Sequence, residues 1–581
     1  MLNIRYTLLS LAIAASMSAS AQGLRKEITV QHEVVPEQTD VTMLRFTPRF
    51  TLPQLQRPSL DYSTRSVFAT VQPSITTLGP AAWGDSIYTS PYRGYAVLGF
   101  APLYNLGATA GYKFIDNDRT RLNAWVQYNG TAYKARYGES PLNGQYQRSN
   151  MVTAAASLHH ALSQSKFLDF GVDYTFGRYT TPASVDSTGR QQMHRLNFSA
   201  LFSGSTSTLD YGAGMALGYF GYAFSPDFEV ATELSDGLWE SERLRPAHET
   251  KVDVHGGVSA KISETQRAGM SAEFDMLSNS RHSHADFDAE DMEYMMYATP
   301  RHTHALLTIS PYYRLRMSAV EFTAGVKAQV TINSGKAIHV APDVNLTWRP
   351  VSRLAVYAKA GGGEWQNTLT SLYDVSPYTL SSMAFKNSHV PITAEGGITF
   401  GPLKGASVEV SWLYAAANDW LMPVTMDDGL TIFTPTKMRG YKLHAGVTYE
   451  YGTAVELRVA YETAPQGPSR GFYLWRDRAK HAVSADLRVT PVAPLDLFAG
   501  WEYRGGRSQI CPHTGIKQSL GLVSNLKVGA LYRITPQWSA FVRGENLMCR
   551  RYMLIGGVPA QSITGLIGCL LYTSDAADDL I

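Results

Sequence analysis

The stretch LDFGVDYTFG, Leu168 to Gly177, decides the fold: Leu168, Phe170, Val172, Tyr174 and Phe176 alternate with Asp169, Gly171, Asp173, Thr175 and Gly177. Side chains of a β-strand switch face at every residue, so this stretch has one apolar face and one polar face. The same division separates Leu122, Ala124, Val126 and Tyr128 from Asn123, Trp125 and Gln127, and Val455, Leu457, Val459 and Tyr461 from Glu456, Arg458 and Glu462. Acidic and basic residues sit in mid-strand without breaking the apolar stripe. Between Arg93 and Gly568 the pattern recurs in about twenty-two runs. It predicts an all-β fold, a transmembrane antiparallel barrel whose outer face meets lipid and whose inner face meets water.

The connections between runs carry the second half of the signal. Numbering strands from Arg93, the even-to-odd turns are brief: Asp116 to Arg119, Ser163 to Lys166, Gly204 to Thr206, Glu264 to Gln266, Pro350 to Ser352, Gly452 to Thr453, Val492 to Pro494 and Thr535 to Gln537. Odd-to-even connections are mostly long, as in Ala135 to Gln147, Ser225 to Ala247, Ser278 to Pro300, Glu364 to Asn387, Ala464 to Asp477 and Arg507 to Gly515. Two of them, near Pro102 and Ser334, are short. Short periplasmic turns opposite long external loops place the barrel in the cell outer membrane. Aromatic residues at strand ends, among them Tyr92, Trp501, Tyr503, Tyr532 and Trp538, suit an interfacial girdle as well as ordinary strand propensity.

The 581-residue composition alone would pass for a soluble protein, with net charge +2, 44% hydrophobic residues and a mean hydropathy of −0.15. A barrel strand crosses with about 9–11 residues, half of them facing inward, so hydropathy does not register it. The one helix-like apolar run, Tyr6 to Met17, is too short to span a membrane; Arg5 precedes it and Ala19-Ser20-Ala21 follows. That is the layout of a secretory signal peptide over residues 1–21, with Gln22 as the first mature residue. Three cysteines, Cys511, Cys549 and Cys569, are too few for a disulfide scaffold, and a bond between Cys511 and Cys549 stays open. The near-neutral charge argues against a nucleic-acid partner. Residues 569–581 read differently from the rest: Cys-Leu-Leu-Tyr-Thr-Ser-Asp-Ala-Ala-Asp-Asp resembles a translated transposon-based sequencing adapter, which sets 569–581 apart as a non-native tail.

Residues 22–92 are rich in proline, with Pro36, Pro48, Pro53, Pro58, Pro73, Pro80 and Pro91 interrupting short β-like runs. Such density resists regular structure, and the segment reads as an irregular periplasmic or luminal piece ahead of a barrel over residues 93–568.

At the far end, Val542-Arg543-Gly544-Glu545-Asn546-Leu547, then Arg551-Tyr552, then Gly557-Val558-Pro559-Ala560 resembles the closing hairpin of TonB-dependent receptors. In that family an Asn-Leu pair ends the penultimate strand, a basic-Tyr pair follows, and a Gly-aromatic-Pro turn leads into the last strand. Here Glu545, Asn546, Leu547, Arg551, Tyr552, Gly557 and Pro559 match, whereas Cys549, Val558 and Ser562 depart from the usual Asn, aromatic and Gly. The resemblance implies a 22-stranded receptor barrel. A plug domain of well over a hundred residues precedes the barrel in that family, and residues 22–92 are short for it. Glu27-Ile28-Thr29-Val30 nevertheless resembles the TonB box, the segment that pairs with the energy transducer.

His282, His284, His302 and His304 form two His-x-His pairs flanking a loop that also holds Asp286, Asp288, Glu290 and Asp291, a donor mixture suited to zinc or copper, or simply a solvated polar loop. Met292, Tyr294, Met295 and Met296 of the same loop read as a ligand patch or as its own small core. Phe472, Tyr473 and Trp475 near Arg470 and Arg476 suit a sugar or flat ligand, or packing among loops. Adjacent His159 and His160 point to opposite faces, Ser163 lies in a turn, and no acid is placed to orient either imidazole. Gly361-Gly362-Gly363 lacks the Lys-Ser/Thr of a phosphate loop. No enzyme and no cofactor is expected. The expected partners are outer-membrane lipid, the outer-membrane assembly machinery, and either a TonB-type energy transducer or a separate envelope protein. Two functions follow: a receptor barrel that transports or binds a solute at the cell surface, or a non-transporting barrel that binds other envelope proteins. A 22-stranded barrel would leave an aqueous hole, so the N-terminal segment, inward-folded loops or another protein must fill it.

Overall fold

The computed structural model describes residues 92–101, 105–138, 140, 142–181, 189–224, 229–233, 239–243, 246–279, 303–334, 337–379, 387–425, 430–463, 479–510 and 517–574. Twenty-two antiparallel strands form one sheet that closes on itself. In chain order these barrel strands are β1 (Tyr92–Ala101), β2 (Asn105–Asp116), β3 (Thr120–Lys134), β4 (Tyr146–Ser163), β5 (Lys166–Thr180), β6 (Arg190–Ser205), β7 (Leu209–Tyr222) and β8 (His248–Lys261). They continue with β9 (Gln266–Asn279), β10 (Thr303–Arg316), β11 (Val320–Ile332), β12 (Ile338–Val351), β13 (Leu354–Trp365), β14 (Ser388–Leu403) and β15 (Ala406–Thr425). The last seven are β16 (Thr431–Tyr451), β17 (Val455–Thr463), β18 (His481–Val492), β19 (Leu495–Gly505), β20 (Val523–Arg533), β21 (Trp538–Glu545) and β22 (Thr564–Ser574). Each pairs with its neighbours in sequence, and β22 pairs with both β21 and β1.

Closure uses Tyr95 opposite Tyr572, Ala96 opposite Leu571 and Leu98 opposite Cys569, with Tyr92 and Tyr572 stacked at 5.4 Å. The residues Cys569–Ser574, set apart by their sequence, therefore extend the closing strand. Backbone pairing makes that possible, because a ladder needs only N–H and C=O groups in register.

The alternation of Leu168 to Gly177 is realised in space. Val172 on β5, Ile398 on β14 and Val410 on β15 are 42%, 51% and 52% exposed, while inward-facing Thr175 on β5 and Gln329 on β11 are buried. Exposing apolar area to water costs about 25 cal/mol per Å². A continuous belt of exposed Val, Leu, Ile and Phe is stable only against lipid, so the barrel spans a membrane. Among the described residues no helix is long and apolar enough to cross one.

All ten even-to-odd turns are two to four residues long. Short polar side chains build them by accepting the turn's own N–H groups. Asn117 Oδ1 accepts from the amides of Arg119 and Thr120, and Thr535 Oγ1 from those of Gln537 and Trp538. At the opposite end the links 102–104 and 333–337 are short, as read from sequence, and 426–430 is short as well. The reason for the third lies in its strands: β15 and β16 run 20 and 21 residues, well beyond the roughly 10 needed to cross, and so meet above the bilayer.

Candidate functional site

At the long-loop end, connections from distant parts of the chain fold inward and pack together across the mouth. The connection after β13 carries a short helix, α1 (Leu369–Val375). Thr368 caps it: its side chain accepts from the Ser371 amide, and the Ser371 hydroxyl accepts from the Thr368 amide. A seven-residue helix is not stable alone. Here tertiary contacts hold it against the inner wall of β5 to β8.

Leu369 N donates to Glu249 Oε2 of β8 at 2.6 Å, placing a carboxylate against the helix N-terminus. Asp374 Oδ1 accepts from Arg195 Nη2 of β6 at 2.6 Å, and the Arg195 guanidinium lies 5.9 Å from the ring centres of both Phe220 and Tyr373. Past the helix, Pro377 O accepts from the Tyr179 hydroxyl at 2.8 Å, and Tyr378 donates to Gln147 Oε1 at 3.2 Å. Burial pushes the Tyr373 and Tyr378 phenols far above their ordinary range, so both stay protonated. Thr379 then bridges Thr431 at the start of β16, and Thr431 N donates to Tyr378 O.

This lid has its own apolar core, in which Leu369, Tyr373 and Tyr378 pack with wall residues Tyr179, Met193 and Phe220 and with Val558 of the closing connection. The closing connection, between β21 and β22, holds the residues that resemble the receptor hairpin. Asn546 is fully buried with φ +49, a backbone conformation Asn tolerates better than most residues. Its side chain accepts from Arg550 N and donates to Arg550 O and Gln561 O, so one amide pins both ends of the connection. Glu545 pairs with Arg543 at 2.8 Å, Leu547 N donates to Leu526 O, Tyr552 is buried and Arg551 is exposed. Gly557 (φ +77) and Pro559 form the tip, whose carbonyls accept from the Ser140 and Tyr133 hydroxyls. Arg507 of the preceding connection donates to the Met553 and Leu554 carbonyls, each at 2.7 Å. The closing connection is thus fastened to two other loops. Cys549 and Cys569 are free thiols, and Cys511 lies outside the described residues.

Below the lid the wall is polar and internally paired. Lys251 reaches Asp275 at 2.7 Å and His255 reaches Asp253 at 2.6 Å on β8 and β9, and Asp210 pairs with Arg267. Near the short turns, Asp496 takes Arg533 at 2.6 Å, Arg488 at 3.3 Å and the Thr490 hydroxyl. On β12, β13 and β14, His339 Nε2 and His389 Nδ1 converge on Glu364 Oε1 at 2.8 and 3.0 Å.

Of the four loop histidines, His304 is buried on the inner face of β10, and His282, His284 and His302 lie outside the described residues. So do residues 1–21, Glu27 to Val30, the remainder of residues 22–91, the methionine-rich loop and the aromatic loop around Trp475. One expectation is corrected. An acid does orient His159: Asp169, directly opposite on β5, contacts its Nδ1 at 2.6 Å, because cross-strand partners share a face. Ser163 does not join them, since its Oγ accepts from Ser165 N, and His160 contacts Thr120 on the other face. Sequence reading did not find α1, the Arg195–Asp374 pair or the His339–Glu364–His389 cluster; each joins residues far apart in sequence through register and loop folding.

No family model and no curated relative matches the sequence. Solved structures do. The siderophore receptor PirA from Acinetobacter baumannii matches with a TM-score of 0.64 at 10% identity, over 83% of this chain and 81% of that one. The ferric enterobactin receptor PfeA from Pseudomonas aeruginosa matches with a TM-score of 0.62 at 11% identity, over 83% and 82%. The ferripyoverdine receptor of the outer membrane of Pseudomonas aeruginosa gives 0.60 at 12% identity, over 83% and 72%. With its lipid-facing belt, its ten short turns and these likenesses, the chain is an outer-membrane β-barrel with the 22-stranded fold of TonB-dependent receptors.

Proposed function

We propose that this barrel is a surface receptor that takes up a bulky solute, an iron–siderophore chelate being the class its structural neighbours are named for, with energy supplied by a TonB-type transducer acting on Glu27 to Val30. The observation that carries the reading is the lid. Barrels of 16–18 strands already leave an open channel; a wider one that folds a connection of its own inward against β5 to β8 and ties it to β16 is built for gated rather than free passage. In this reading the segment 22–91 completes the barrier by lying at least partly in the lumen. The alternative is a non-transporting barrel that binds other envelope proteins.

Uptake of radio-iron chelates by iron-starved cells separates the two. Wild-type chain is expected to promote accumulation of at least one chelate in a panel, and Thr29→Pro, which removes an N–H needed for strand pairing, is expected to abolish accumulation while surface binding persists. Accumulation unchanged by Thr29→Pro contradicts energised uptake. Absence of accumulation for every chelate favours the non-transporting barrel.

A further inference from the structure

We propose that His339, Glu364 and His389 form a binding site for a divalent transition-metal ion of the zinc or copper class on the inner wall of the barrel, near its external mouth. The three residues stand on consecutive strands, β12, β13 and β14. Their candidate ligand atoms all lie within 4.8 Å of one another, and the two imidazoles meet a single carboxylate oxygen at 2.8 and 3.0 Å. Tetrahedral zinc holds its nitrogen and oxygen ligands at about 2.0–2.2 Å, which sets those ligands roughly 3.3–3.5 Å apart. Adjustments well under an ångström per side chain would admit the ion.

The backbone is shaped to bring these donors together. The ladder between β13 and β14 shifts register between Gly361 and Gly363, after which Glu364 stands opposite His389. Gly363 has φ +122, and a Cβ there would collide with Gln329 Oε1. That same oxygen accepts from Glu364 N at 2.6 Å, while Gln329 Nε2 donates to Thr308 Oγ1, so Gln329 holds the shifted segment in place. A second register shift follows between His389 and Ile392, where β14 meets β15.

The donor set fixes the ion class. Two imidazoles and one carboxylate suit zinc and copper, whereas calcium and magnesium prefer all-oxygen shells. Three protein ligands leave one position open in a tetrahedral site. The His339 and Glu364 side chains are 5% and 6% exposed and His389 is 28% exposed, so the ion would be screened on two sides and reachable from the third. The site stands apart from the uptake reading and needs none of the loop histidines.

The test is zinc competition against a chromogenic chelator, with the full chain purified in detergent and its loop histidines removed as His282→Ala, His284→Ala and His302→Ala. One tight equivalent of Zn²⁺ is expected to remain in that background. Adding Glu364→Gln or His389→Gln is expected to weaken it at least about tenfold, the lower range for disturbing a metal's supporting residues. Co²⁺ should give the intense visible absorption of a four-coordinate site, lost in the same variants. Heat-shifted gel mobility confirms that each variant is a folded barrel. No equivalent in the loop-substituted background, or affinity unchanged by both Glu364→Gln and His389→Gln in folded protein, overturns the site and leaves a hydrogen-bonded triad.

Discussion

Asn546 shows how much structure one side chain can hold. It is fully buried and bonded to Arg550 and Gln561 on either side of the closing connection, and it adopts a positive φ. Asn546→Ala removes those bonds and leaves buried backbone groups without partners, at about 2–3 kcal/mol. Limited proteolysis is expected to cut within 547–563 faster in the variant while the barrel stays folded. Arg195 is the matching case on the lid. Its pair with Asp374 is largely covered, with side chains 14% and 16% exposed, so Arg195→Ala strands a carboxylate at about 3 kcal/mol. Arg195→Lys restores charge but not the planar group beside Phe220 and Tyr373, and is expected to recover only part of the loss. Hydrogen exchange at 369–379 reads both: protection falls most in Arg195→Ala, less in Arg195→Lys. Equal protection in all three proteins would mean that the ion pair does not anchor the lid.

Elements differ in how legible they are. The strands are written plainly, because Leu168 to Gly177 and its counterparts must satisfy lipid on one face and water on the other. Turn positions follow from residues such as Asn117 and Thr535, whose side chains close the turn locally. Helix α1 is a different case. Its stability comes from Glu249 and Arg195, more than a hundred residues upstream, and seven residues between Thr368 and Ser376 carry too little periodicity to announce a helix. The same holds for His339, Glu364 and His389: they lie on three separate strands, and the register shift at Gly361/Gly363 is what sets Glu364 opposite His389. Glu249→Ala is expected to loosen α1 without unfolding the barrel, measured as faster exchange of the Leu369 amide. Unchanged exchange would show that the cap at Thr368 suffices.

At the scale of the whole molecule, strand number and closure were legible from the count of alternating runs and from the closing motif, since a barrel of this width leaves few other ways to satisfy its edges. How the long loops pack was not, because that packing joins residues such as Tyr133 and Pro559 that no local pattern connects. Two barriers are expected in series: the lid built on 366–379, and the segment 22–91 ahead of β1. Deleting either alone is expected to raise ion flow modestly, because the other still obstructs the path. The most direct measurement is single-channel conductance in planar bilayers of the chain lacking both segments, compared with the full chain. A large, stable conductance appearing only in the double deletion is the expected result. A doubly deleted, folded barrel that conducts no better than the full chain would contradict a wide lumen gated by its own loops and N-terminal segment.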